Sequence, residues 1–208
     1  MRSQEYSWSP PPSECLKFNV GAEVHYSTFL AAVVRDEAGN VVAADTAMCN
    51  VASSLVAEAL AFKCGVHLIK QYSVRKAIIE GDAPLVFNAL KDRKTDAPLE
   101  IKDIVQEVFT MLDTFTDTIV EFSCVNKSCN SLAYDCIKWA TRNRLWGVLP
   151  PCWFNGASFI GPSCVWQYAG EWSKHVFVKI DCMHRYCVSE CLEGDQINFF
   201  VIVVRLAP

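Results

Sequence analysis

The chain has 208 residues, a net charge of −4, and 51% hydrophobic against 20% charged residues. That is the composition of one globular domain with room for an extension, and it excludes a disordered chain. No apolar run approaches the ~18–20 residues that span a bilayer, and the negative balance argues against tight binding of nucleic acid by charge alone.

Ser9-Pro10-Pro11-Pro12 is a stiff, extended lead-in. Leu16–Val20 then alternates apolar and polar residues, which predicts a strand. Phe29–Val34 is a short apolar run, Asp36–Asn40 has turn chemistry, and Val41–Met48 completes a three-stranded meander. Ser53 and Ser54 are suited to cap a helix in which Leu55, Ala59, Phe62, Val66 and Ile69 recur at steps of four and three. Val74–Ile79 reads as a fourth strand. Asp82 is placed to open a short helix, Ala83–Leu90, and a polar loop covers Lys91–Pro98. Ile101, Ile104, Val105, Val108 and Leu112 form another helical stripe, and Ile119–Val125 a fifth strand. Asn130 is placed to cap a last helix with Leu132, Ala133, Cys136, Ile137 and Ala140 on one face.

The order β-β-β-α-β-α-α-β-α implies an α/β domain, a five-stranded mixed sheet flanked by helices, with the first strand central between the second and fourth. The basic clusters Lys63–Lys70, Arg75–Lys76 and Lys91–Lys94 read as solvated helix surface. The 11 cysteines are an odd number and include no CxxC pair. Six lie between Cys15 and Cys136, and most of these, such as Cys64 and Cys136, sit in apolar patterns and read as small buried hydrophobes. Cys182, Cys187 and Cys191 with His184 match the spacing of no common zinc module. The polar start Met1–Pro12 carries no apolar signal core, so the expected location is intracellular, nuclear or cytoplasmic, and not secreted.

Several short motifs carry a resemblance. Trp8-Ser9-Pro10-Pro11-Pro12 followed by Leu16-Lys17-Phe18-Asn19-Val20 resembles the opening of plant retroelement-type ribonuclease H domains. Val33-Val34-Arg35-Asp36-Glu37-Ala38-Gly39 resembles their second strand and turn, and Ala57-Glu58-Ala59-Leu60-Ala61 their first-helix motif. Ile79-Glu80-Gly81-Asp82-Ala83, the segment from Val125 to Ala133, and the closing stretch from Trp146 to Trp153 follow in the family's order. The resemblance places a ribonuclease H-like domain at residues 8–154 and leaves 155–208 as an unassigned extension rich in cysteine and aromatic residues, ending in the apolar run Phe199–Val204.

In that family four carboxylates hold two divalent cations, usually magnesium, which cleave the RNA strand of an RNA–DNA hybrid. Carried over residue by residue, Glu58 matches the helix carboxylate and Asp82 the one after the fourth strand; these two are the expected metal ligands. Gly21 stands where the first acid belongs and Tyr134 where the fourth belongs. Asp135 is one residue away, rotated by ~100° on a helix. Glu23 and Glu80 do not fall where a replacement acid is needed. Without the resemblance, Asp82 reads as a helix cap and Glu58 as a residue just off an apolar stripe.

The resemblance therefore implies a nucleic-acid-binding protein related to ribonucleases of RNA–DNA hybrids, with weak binding and with cleavage lost because two of four acidic positions are replaced. Magnesium is implied only if activity survives. An active magnesium-dependent ribonuclease H, and a non-enzymatic relic or protein-interaction domain, remain as alternatives. No membrane partner is implied, and oligomeric state is not legible.

Overall fold

A computed structural model describes residues 7–72, 74–91, 93, 97–144, 146–149, 153–155, 158–159, 167–169 and 176–178. The meander is β1 (Cys15–Val24), β2 (Thr28–Arg35) and β3 (Val41–Cys49). Helix α1 (Ser54–Ile69) crosses to β4 (Lys76–Gly81); α2 (Pro84–Lys91) and α3 (Lys102–Leu112) lead to β5 (Ile119–Cys124); α4 (Ser131–Asn143) is followed by β6 (Gly147–Leu149). The sheet order is β5-β4-β1-β2-β3-β6, with β1 antiparallel to β2 and parallel to β4. The first strand is therefore central between the second and fourth, as its place before a helical crossover implies.

Two expectations are corrected. The sheet has six strands, not five. The sixth is three residues long, too short to show a period of two, and it pairs antiparallel with β3 through Asp45↔Val148. Strand β1 also runs four residues past Val20, because Gly21 and Ala22 interrupt the apolar alternation without interrupting the pairing, Gly21↔Ala31.

Each face of the sheet carries its own core. On one, Phe18, Val20, Ala22 and Ile79 pack under α1, α2 and α3 through Phe62, Val66, Val86 and Val105. On the other, α4 lays Leu132, Ala133, Cys136, Ile137 and Ala140 on Phe29, Ala31, Val33 and Ala44. At Gly81 a Cβ would stand 2.5 Å from the Phe62 ring, so only glycine lets the end of β4 pass under α1. Trp139 of α4 stacks edge-on against Trp153 at 4.7 Å, and Trp153 is buried in the second core.

Lys63, Lys76 and Arg93 are each paired with an acid, Glu107, Glu121 and Asp113 respectively, in keeping with solvated helix and strand surfaces. Among the described residues no helix is long and apolar enough to cross a membrane. The Cys182/His184/Cys187/Cys191 set and the run Phe199–Val204 lie outside the described residues.

Candidate functional site

Four elements converge beside the middle of β1. Gly21 lies on the sheet face that carries α4. Asp82 follows directly on the C-terminal end of β4, and Glu58 sits in the second turn of α1. That helix starts where Ser53 Oγ accepts a hydrogen bond from the Val56 amide, while the same hydroxyl donates to Glu100 at 2.9 Å. The fourth element is the turn Lys127–Asn130 with the first turn of α4.

Tyr134 ties these together. Its hydroxyl stands 3.1 and 3.2 Å from the two Asp82 oxygens and 3.4 Å from Glu58 Oε1, and donates to this pair. The residue is buried, and its ring lies beside Gly21. A Cβ built on Gly21 would meet Tyr134 Cζ at 3.5 Å and Asn130 Nδ2 at 3.4 Å. A methyl group fits there at ordinary contact; a longer acidic side chain would have to displace the ring.

Asn130 does not cap α4 as expected. Its side-chain amide instead donates to Val20 O at 2.7 Å and to Asp82 Oδ1 at 2.8 Å, which pins the turn to β1 and to the site. Capping falls to Asn126, whose Oδ1 accepts from the Ser128 amide and starts the Lys127–Asn130 turn. Lys127 is exposed, and its ammonium lies 4.0 Å from the centre of the Tyr134 ring.

Glu58 Oε2 is enclosed without a hydrogen-bond partner. Burial first, and then the neighbouring Asp82 charge, push the Glu58 carboxyl up to about 7; the Tyr134 hydroxyl, the Ala22 backbone amide and Lys127 act the other way. Burial, with both carboxylates beside it, raises the Tyr134 phenol far above its ordinary value, so it stays a donor.

The remaining acids are engaged elsewhere. Asp135 turns away from the site and pairs with Lys138 at 3.3 Å. Glu23 is 3.6 Å from His25. Glu80, 5% exposed, lies in a buried network that sequence reasoning missed. It accepts from Lys17 Nζ at 2.9 Å, Trp8 Nε1 at 3.0 Å and Asn19 Nδ2 at 3.1 Å. Arg35 stacks 3.4 Å from the centre of the Trp8 ring and donates twice to Asn19 Oδ1. The partners lie up to 72 residues apart, and Glu80 falls one residue past the expected strand Val74–Ile79, so nothing local signals the network.

With this geometry in view, the comparisons decide the family. The reverse transcriptase-like family model matches residues 21–140, more than half of the chain. The chain belongs to that family. Its fold is that of ribonuclease H. Ribonuclease H1 of the halophilic archaeon Halobacterium salinarum is 15% identical, with a TM-score of 0.56 over 62% of this chain and 98% of that one. The N-terminal ribonuclease H domain of a Mycobacterium tuberculosis protein, solved as a maltose-binding-protein fusion, is 16% identical, with a TM-score of 0.53 over 63% and 99%. LC11 ribonuclease H1, solved with an RNA/DNA hybrid, is 12% identical, with a TM-score of 0.56 over 62% and 98%. No curated protein sequence matches significantly.

The residues present do not fit the cation pair that the family implies. Magnesium takes carboxylate and phosphate oxygens. Gly21 offers none, Tyr134 presents a proton rather than a lone-pair anion, and that hydroxyl already stands between the two acids. Among the described residues no three His, Cys, Asp or Glu side chains are grouped so as to hold a metal ion.

Proposed function

We propose that residues 8–154 form a nucleic-acid-binding domain descended from retroelement ribonucleases, recognising RNA–DNA hybrid weakly and no longer cleaving it. One observation carries the loss of cleavage: the Tyr134 hydroxyl bridges Glu58 and Asp82, the two remaining acids that would hold a cation, and donates to both. Two-metal displacement needs both cations clamped between carboxylates and the scissile phosphate. Here one ligand position is a glycine and another a hydrogen-bond donor.

Recognition of hybrid rests on the family and on the solved relative that carries an RNA/DNA hybrid on the same fold. The chain's net charge of −4 supplies little general attraction to phosphate, so binding is weak and its salt dependence is set by the few phosphate contacts the chain makes.

The test is repair. Gly21→Asp combined with Tyr134→Asp restores both acids and removes the ring that blocks the first. The double variant is expected to gain magnesium-dependent cleavage of a labelled RNA–DNA hybrid, while Gly21→Asp alone stays inactive because Tyr134 still fills the space its carboxylate needs. Cleavage by the single variant equal to that of the double would show that Tyr134 is no obstacle.

A further inference from the structure

Two carboxylates that converge call for compensation of their charge, and at this site the chain itself supplies compensating groups. The Tyr134 hydroxyl and the Asn130 amide donate from within. From the solvent side comes the exposed Lys127, whose ammonium lies 4.0 Å from the centre of the Tyr134 ring and whose charge acts on Glu58. Its ammonium rests over the Tyr134 ring, and among the described residues it has no carboxylate at ion-pair distance.

Lys127 is also firmly mounted. Asn126 fixes the start of its turn through Ser128 at 3.0 Å and through the Cys129 amide at 2.8 Å. The other end of the turn is held by Asn130 on Val20 O. A lysine stem lying on an aromatic face loses little further freedom when its head group meets a ligand. An ammonium is a point charge with rotatable donors, which suits one phosphate oxygen.

We infer that Lys127, and not a divalent cation, meets the nucleic-acid phosphate nearest the Glu58–Asp82 pair, which makes hybrid binding by this chain independent of magnesium. The inference rests on the proposed nucleic-acid function. A divalent cation held between the acids and a phosphate would strengthen binding. A lysine tethered over Tyr134 does the same work with no metal, and the rest of the acidic chain leaves such local cations decisive.

The experiment is an anisotropy titration of a fluorescent RNA–DNA hybrid with the full chain, in magnesium and in EDTA at matched ionic strength. The natural protein is expected to bind no more tightly with magnesium than without it. Lys127→Ala is expected to weaken binding about tenfold in low salt and to lower the slope of log affinity against log salt by about 1, the value of one phosphate contact. Lys127→Arg should restore most of the affinity. Binding that magnesium tightens several-fold, or that Lys127→Ala leaves unchanged, overturns the inference and leaves the proposed function standing. Absence of any hybrid binding in either buffer overturns both.

Discussion

Replacing Tyr134 with Phe removes one hydroxyl and nothing else, which makes it a sensitive probe of the site. The ring would remain packed beside Gly21 and under Lys127, while Asp82 and Glu58 would lose their common donor. A hydrogen bond to a charged group is worth about 1.5–3 kcal/mol net, so the loss should be about 2 kcal/mol. In a chain of this size that lowers Tm by about 4–8 °C.

The loss should depend on pH. The Glu58 carboxyl is raised to about 7 in the folded protein, above its ordinary value of 4.5, so folding takes up a proton between those two values. The natural protein is therefore expected to lose stability as pH rises through that window. Below it, a protonated Glu58 can itself donate, and the Phe variant should differ little from the natural protein. Above it, two unscreened carboxylates face each other in the variant, and the full penalty should appear. Thermal melts at about pH 4 and pH 8 read both terms. A Phe variant that melts with the natural protein at pH 8 would refute the donor role of Tyr134.

Glu80→Ala should cost about 3–5 kcal/mol in urea denaturation, because it strands the buried Lys17 and removes the acceptor of Trp8; a loss below about 1 kcal/mol would mean that the network is not closed as described. Asp45→Asn should stabilise the protein at alkaline pH by about 2 kcal/mol, since Asp45 Oδ1 is enclosed without a partner and burial raises its carboxyl to about 7. An acid with a raised folded value stabilises below its unfolded value and loses that contribution as pH climbs through 7. The Asn variant should accordingly be flatter between pH ~4 and ~7 in a series of melts, and a curve parallel to the natural protein's would count against an enclosed Asp45 carboxyl.

The elements legible in the sequence are those whose apolar pattern is long and local. The stripe from Leu55 to Ile69 lies within α1 because Ser53 does cap it. Strand β1 is central because a meander followed by a helical crossover leaves few other topologies. What escaped depends on contacts distant in sequence. Asn130 has the right residue type at the right place for a cap, yet its amide goes to Val20 and Asp82, 110 and 48 residues away. Glu80 offers no sign that Trp8, Lys17 and Asn19 close over it. At position 134 the sequence revealed a missing acid; only the fold revealed that the tyrosine reaches both of the acids that remain.

The most direct measurement is incubation of the natural protein with a labelled RNA–DNA hybrid and magnesium, with Asp82→Asn alongside. With Tyr134 seated between Glu58 and Asp82 and no carboxylate at Gly21, no RNA product is expected from either protein. Magnesium-dependent product from the natural chain that disappears in Asp82→Asn would contradict the loss of catalysis and make the two-acid site an active one.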